Sequence, residues 1–326
     1  METLVVTGNY IAERFGPDAY LRAVRGAFEA LAAGLLSTPT VGHIPGAGGA
    51  FHVKAAAQLG RGSLAVLKVN GNFPGNAARG LPTIQGFIAL FDAERGSVIA
   101  LLDSMEITAR RTAAASTLAA ELLAQPRCER LAVVGCGVQA RYHLEALCDQ
   151  FPISTLRCHD LDRSRADALV TIARESGIDA SVASSPREAA RDAQILVTCT
   201  TSTRAFLDKG DVPAGCFVAA VGADNPGKQE LAPALLRAAR VVPDVLAQAA
   251  TMGDLHHAIA AGVMTETDVH GELADIVAGR VAGRRDEHEI FVFDSTGTAI
   301  EDLAAAQLVC DAASDDPTIL RVRLNR

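Results

Sequence analysis

Three charged side chains stand where their type and setting could do chemistry. Asp224 lies in Gly222-Ala223-Asp224-Asn225-Pro226-Gly227-Lys228, directly after the apolar run Phe217–Val221. A carboxylate at the carboxyl end of a strand can take or give a proton at an amino or imino nitrogen, and it can equally cap a turn. Lys68 closes an otherwise apolar run, and Arg111 lies inside an alanine-rich helix. A cation in such a place either reaches out to solvent or binds an anion. Arg110 is its neighbour, and only one of the two can face inward.

A fourth constellation is Leu131-Ala132-Val133-Val134-Gly135-Cys136-Gly137-Val138-Gln139-Ala140, four apolar residues leading into G-x-G-x-x-A. Gly135 permits a tight turn, Gly137 lets backbone approach a pyrophosphate, and Ala140 lets the following helix pack on the strand. The new helix turns its free N–H groups and positive dipole end toward the anion. Asp160 ends the next apolar run, Leu156-Arg157-Cys158-His159-Asp160, where an acid can bond the ribose 2′-hydroxyl. The competing reading is a structural strand–helix turn with Asp160 as a helix N-cap.

His256-His257 with His270 and Glu272 matches no zinc spacing, and no metal is expected. No Ser or Cys stands in a nucleophile-elbow pattern, so covalent hydrolysis is unsupported.

These residues need elements to hold them. Gly16-Pro17-Asp18 opens a helix with Leu21, Val24, Phe28 and Leu31 at helical spacing. Ser37 to Gly49 is rich in Gly and Pro and is expected to be loose. Phe51-His52-Val53-Lys54 alternates as a half-buried strand, Leu64 to Val69 is a strand, and Asn72 to Asn76 is a loop. Ile84–Phe91 and Ser97–Leu102 form a hairpin, so the first hundred residues are helix plus a largely antiparallel sheet. From Ala109 to Ala124 a long helix is expected. Strands and helices then alternate: strands at Ile195–Thr200, Phe217–Val221, Val241–Asp244 and Ile290–Phe293, with helices at Ser164–Glu175, Pro233–Ala239 and Ala247–Ala261. Such alternation specifies a parallel sheet covered on both faces, and ligands bind beyond the carboxyl ends of its strands. Those ends carry Thr198-Cys199-Thr200-Thr201, the Asp224 loop and Asp294-Ser295-Thr296-Gly297. Gly297 to Ala313 is a further helix beyond the last strand.

The chain is 326 residues, longer than one core usually serves, so two domains are expected. A net charge of −8 argues against nucleic acid or an anionic membrane as partner. No apolar run reaches the roughly 18 residues that span a bilayer. With no basic-then-apolar leader and seven cysteines lacking any C-x-x-C pair, a cytoplasmic protein with reduced thiols is expected.

Thr108-Ala109-Arg110-Arg111-Thr112-Ala113-Ala114, Gly135 to Ala140, Val221 to Leu231 and Phe293-Asp294-Ser295-Thr296-Gly297 together resemble the ornithine cyclodeaminase/μ-crystallin family, in motif order over nearly the whole chain. The resemblance implies an α/β fold: a Rossmann domain, here 113–297, and a smaller α+β substrate and dimerisation domain built from both chain ends, 1–112 and 298–326. It implies a homodimer. It places Lys68 and Arg111 on the substrate carboxylate, Asp224 as the catalytic acid, and Thr83 near a further substrate contact. It makes Thr112, Gly135, Gly137, Val138, Gln139, Ala140, Asp160, Thr198, Thr200, Val221, Gly222 and Ser295 the cofactor-binding set.

Two departures bear on the substrate. The family often has an arginine around Pro39, where this chain reads Ser37-Thr38-Pro39-Thr40-Val41-Gly42-His43. Ornithine cyclodeaminases carry a glutamate for the distal amine in the strand before the lysine, where this chain has His52 and Lys54. A basic pair suits an acidic or neutral substrate end, since burying a like charge costs several kcal/mol; alternatively both side chains face solvent. The expectation is therefore an NAD-dependent enzyme, with NADP possible through Arg163 and Arg165. It moves a hydride between the nicotinamide and the Cα of an amino acid or its imine, as an amino acid dehydrogenase or imine reductase. The rivals are an NAD-recycling cyclodeaminase lyase and a non-catalytic NAD(P)H-dependent binder.

Overall fold

Apolar alternation in the first hundred residues resolves into strands. The computed structural model describes residues 2–324. It opens with β1 (Thr3–Val6), α1 (Gly8–Arg14) and α2 (Pro17–Ala32), followed by five strands: β2 (Thr40–Gly46), β3 (Gly49–Ala57), β4 (Leu64–Asn72), β5 (Ile84–Asp92) and β6 (Val98–Asp103). Pro17 sits in the first turn of α2, whose buried stripe is Tyr20, Leu21, Val24, Ala27 and Phe28. The Ser37–Gly49 stretch is not loose, because β2 occupies most of it. It is an edge strand bonded to β3 alone, a position that tolerates Pro45 and glycine. Lys68 lies inside β4 rather than at its end. The Asn72–Asn76 loop tightens into a 3-10 turn from Pro74 to Arg79.

The long helix α3 (Ser104–Leu123) begins five residues earlier than its alanines suggest. Asp103 accepts the N–H of Glu106, so the start is set by a side-chain cap.

One compact unit extends to Arg111 and resumes at Thr298; the other is Thr112–Gly297. The second unit alternates β7 (Arg130–Val134), α4 (Val138–Gln150), β8 (Thr155–His159), α5 (Arg163–Glu175), β9 (Asp179–Val182), α6 (Pro186–Ala190), β10 (Ile195–Thr198), β11 (Thr203–Leu207), β12 (Phe217–Ala220), β13 (Gln229–Leu231), α7 (Pro233–Ala238), β14 (Arg240–Pro243), α8 (Leu246–Ala249), α9 (Asp254–Ala260), α10 (Leu273–Val277) and β15 (Phe291–Asp294). Its sheet is parallel throughout, in the order β14-β15-β12-β10-β7-β8-β9. The central strands β10, β12 and β15 are buried along their whole length, as a doubly covered sheet requires. Strand order reverses between β7 and β10, so a crevice forms at the carboxyl ends of these two strands. β11 and β13 form a separate parallel pair that the sequence pattern does not announce.

The expected helix Ala247–Ala261 is two helices. Gly253 breaks it at φ +89°, and a Cβ there would come within 2.9 Å of the Asp294 carboxylate. The break lets the N–H groups of Asp254 and Leu255 reach that carboxylate.

The chain then returns to the first unit with α11 (Ala299–Ser314) and β16 (Leu320–Val322). Thr298 and Glu301 form a capping box at the start of α11. β16 pairs with β1, completing a sheet ordered β16-β1-β6-β5-β4-β3-β2, antiparallel except at β1–β6. α11 packs on this sheet and against α2, and ten of its residues are buried. Register puts Val66, Lys68, Ile88, Leu90, Ala100 and Leu102 on the buried face. The opposite face leaves Ile44 54%, Phe51 39% and Phe87 44% exposed. No helix among the described residues is long and apolar enough to cross a membrane.

Candidate functional site

Within the second unit, the glycine-rich turn joins β7 to α4. Gly135 has φ +92°, and a Cβ on it would meet the Cys199 carbonyl at 2.8 Å, so only glycine lets these two loops touch. Its N–H donates to the His159 carbonyl at 2.9 Å. Gly137 is the N-cap of α4 and makes no side-chain cap bond, and a Cβ there would point into open space. The first N–H groups of α4 therefore face a clear approach. Asp160 is not a helix cap, because Asp162 caps α5. The Asp160 carboxylate instead accepts the N–H of Cys136 at 2.6 Å and of Asp162 at 2.8 Å, which fixes it beside the glycine turn. Leu161 is 99% exposed next to it, and Val138 is 68% exposed at the head of α4. The Oε1 of Gln139 and the Oγ of Ser295 are buried and have no protein partner. Open glycine backbone, an anchored acid and orphaned polar atoms fit a dinucleotide.

The loops beyond β10 and β12 are tied together by Glu230, which the sequence reading missed. It is fully buried and accepts from Thr198 Oγ1 at 2.7 Å, Thr200 N at 2.6 Å and Gly222 N at 2.8 Å. Burial raises its pKa, and the bonds from Thr200 and Thr198 oppose that rise. Val221 donates its N–H to the Thr198 carbonyl, while Thr112 is a buried residue of α3. Asp224 follows on the same loop, its side chain half exposed at 51%, with Lys228 Nζ at 2.8 Å from Oδ1. Its backbone N–H donates to the Gly222 carbonyl. The signal for Glu230 was a charge in the short apolar setting Gln229-Glu230-Leu231-Ala232, which demands a buried partner.

Behind Glu230 runs a chain of buried acids. Asp254 Oδ1 accepts the N–H groups of Glu230 and Leu231 at 2.8 and 2.9 Å, while its Oδ2 has no partner. Burial, then the charge of Glu230, pushes Asp254 up to about 7. Burial and the nearby Asp254 likewise raise Asp294. The folded state thus holds a proton that the unfolded chain releases near pH 4. Stability from this group is complete below that pH and falls as pH rises through about 7. Asp254→Asn keeps the Oδ1 acceptor and removes the charge. Its urea midpoint should exceed the native one at about pH 8 and depend less on pH; parallel profiles for the two proteins would refute the raised pKa of Asp254.

Within the first unit, Lys68 and Arg111 are brought together. Lys68 Nζ lies 2.9 Å from Asp302 Oδ1 and 2.7 Å from Oδ2. Arg111 Nε donates to the same Oδ1 at 3.0 Å, and Nη1 donates to Glu301 Oε2 at 2.6 Å. All four side chains are at most 4% exposed. Burial lowers Lys68 to about 7, with Asp302 opposing the fall. Burial also works against the Arg111 charge, but Asp302 and Glu301 outweigh it and hold the guanidinium more firmly protonated. Burial alone would raise Asp302; Arg111 and Lys68 bring it below the ordinary range. Glu301 and Asp302 are the second omission of the sequence reading, although two acids in Ala299-Ile300-Glu301-Asp302-Leu303-Ala304 carried the signal. Arg110 faces elsewhere, bonded to Glu106 and to the carbonyls of Phe15 and Ala12.

His52 and Lys54 are half-buried on the face that carries Lys68: Lys54 is opposite Lys68 and His52 opposite Asn70. Thr83 immediately precedes β5, its carbonyl accepting from Phe73 N–H, and is not in the Lys68 cluster. His256 and His257 lie ring against ring on α9, and His257 and His270 each bond a backbone carbonyl. All seven cysteines are free.

A parallel seven-stranded sheet with a glycine turn at its switch point, in a chain whose other unit holds a buried Lys–Arg pair, defines a two-unit dinucleotide-binding architecture. The chain belongs to the ornithine cyclodeaminase/mu-crystallin family, whose model matches residues 1–316. It is 36% identical over 313 residues to an alanine dehydrogenase of Archaeoglobus fulgidus, covering 96% of each chain. Among solved structures it is similar to an archaeal alanine dehydrogenase dimer with bound NAD, at TM-score 0.94 and 34% identity over 100% of both chains. It is also similar to the iminosuccinate reductase of Paracoccus denitrificans in complex with NAD+, at TM-score 0.91 and 30% identity over 99% of this chain and 100% of that one.

Proposed function

We propose that this protein is an NAD-dependent oxidoreductase that moves a hydride between the nicotinamide and the Cα of an amino acid or its imine. The observation that carries this reading is the buried Lys68–Arg111 pair, one cation from β4 and one from α3 meeting at Asp302, at positions that match the family's carboxylate-binding residues. Lys68 and Arg111 hold the α-carboxylate and fix the orientation of Cα. The bound cofactor supplies and accepts the hydride. Asp224 handles the proton at the substrate nitrogen, protonating it in the reductive direction and receiving the proton in the oxidative one. Glu230 keeps the Asp224 loop and the Thr198–Thr200 segment in one arrangement.

Asp160 favours NAD, because its charge repels a 2′-phosphate. Arg163 and Arg165, which could have welcomed that phosphate, are turned to Asp167 and Asp162 on their own helix turn. Asp160→Ala should therefore weaken NADH binding more than NADPH binding in a fluorescence titration. Equal weakening of both would remove Asp160 from the ribose.

The exposed apolar sheet face with Ile44, Phe51 and Phe87 supports a homodimer, since a patch of this kind marks an interaction surface. Free thiols and a reduced cofactor suit the cytoplasm.

The test is NADH absorbance with pyruvate, glyoxylate or oxaloacetate plus ammonia or methylamine, and with cyclic imines. Ornithine and lysine with NAD are run beside them, with ammonia assayed. NADH consumption supports the reductase. Ammonia from ornithine without net NADH would make it a lyase.

A further inference from the structure

The face of the first sheet that carries Lys68 does not end at Lys68. Register sets a second row beside it. His43 is opposite His52, His52 opposite Asn70, and Asn70 opposite Gly86. The row of Lys68 contains Val41, Lys54, Ile88 and Leu102. Burial changes between the two rows. Lys68 and Ile88 are buried, whereas His52 and Asn70 are half-buried and His43 is exposed. The second row is thus the open continuation of the carboxylate cluster.

The row is built from donors. The His43 and His52 rings are in edge contact, with centroids 5.1 Å apart. Asn70 accepts the Ser104 hydroxyl at 2.6 Å through Oδ1, which leaves its Nδ2 hydrogens for another acceptor. Gly86 makes room for this side chain, since a Cβ there would come within 2.2 Å of Asn70 Oδ1. Lys54 stands at the junction of the rows, opposite Lys68. No carboxylate occurs on this face in the rows of Lys68, Asn70 or Asn72 among β2 to β5. Diagonal neighbours on adjacent strands are about 7–8 Å apart at Cα, so His52 and Lys68 together span a short ligand.

We propose that His52, with His43, Lys54 and Asn70, forms a second anion subsite, and that the substrate is an amino or imino acid whose side chain ends in a carboxylate after one or two methylenes. This rests on the oxidoreductase reading and narrows it. The α-carboxylate meets Lys68 and Arg111, and the distal carboxylate meets the histidine row. A substrate with a distal ammonium would place like charges together, and an alanine-sized one would leave the row unused.

The experiment compares kcat/KM for oxaloacetate plus ammonia with that for pyruvate plus ammonia, in the native protein and in His52→Gln. The dicarboxylate should be preferred at least about 10-fold, the scale of one charge-assisted contact. His52→Gln should remove most of that preference, bringing the ratio of the two kcat/KM values toward one. Equal use of the two keto acids, or equal loss of both in His52→Gln, would overturn the subsite while leaving the oxidoreductase intact. If neither is turned over, the oxidoreductase reading is decided by the wider panel above, and the subsite is tested by binding. L-malate should then raise the melting temperature of the NADH-loaded protein more than L-lactate does, and the difference should vanish in His52→Gln. Equal shifts from malate and lactate would refute the subsite.

Discussion

Asp224→Asn should bind NADH with unchanged affinity and turn over at least about 100-fold more slowly, the usual scale for loss of a general acid–base group. The two readouts are expected to separate because Asp224 is proposed to act on the substrate nitrogen and not on the nucleotide. Its carboxylate extends from the loop after β12 with half its surface open, and its Oδ1 accepts from Lys228 Nζ and Asn225 Nδ2. The loop is held from below by Glu230 through Gly222, a contact that Asp224→Asn does not touch. An amide retains the shape and one acceptor but cannot carry a proton between substrate and water. NADH affinity is read by fluorescence titration and kcat by absorbance. Retained turnover would exclude Asp224 from the chemistry, and lost NADH binding would show that it shapes the cradle.

Asp302→Ala should be the most destabilising single change in the first unit, by about 3–5 kcal/mol, the range for removing one partner of a buried ion pair. Two cations depend on this carboxylate. Lys68 touches both its oxygens, and Arg111 donates to one of them. Without it Lys68 keeps a 3.5 Å contact to Thr108, and Arg111 keeps Glu301. Asp302→Asn should cost less, because the amide oxygen still accepts. The double variant Lys68→Met/Asp302→Leu should recover much of the loss by replacing charge with apolar volume. Urea midpoints measure all three, with the slope checked for constancy. A cost below about 1 kcal/mol for Asp302→Ala would mean that water already screens the pair.

Much of the nucleotide half was legible because its signals are local. A strand, two glycines and a helix are adjacent in sequence, so Leu131 to Ala140 specifies β7, the turn and α4 with little help from elsewhere. The place of Asp160 at the end of the next strand was legible for the same reason, although its hydrogen bond to Cys136 runs back to the turn. Lys68 and Arg111 stood out as cations in apolar settings. Their partners did not, because Asp302 lies 234 positions from Lys68 and 191 from Arg111. Only the tertiary return of α11 joins them. β2 was hidden by its glycines and Pro45, which an edge strand bonded on one side accommodates. The helix break at Gly253 was hidden because its cause, the carboxylate of Asp294, arrives forty residues later.

The same return of α11 orders events during synthesis. The first unit has nearly all its strands once β6 has emerged, yet its central helix is made only after the whole nucleotide-binding unit. Until α11 has left the ribosome, Lys68 on β4 and Arg111 on α3 lack the carboxylates of Glu301 and Asp302, and the sheet face that carries Lys68 lacks its α11 cover. The second unit, being one unbroken stretch, can complete its sheet first, as domains generally do when they fold as units. The N-terminal segment must then wait as an incomplete sheet with a charged, uncovered face. Those unpaired cations disfavour premature burial of that face in a wrong partner until the correct helix brings its two acids.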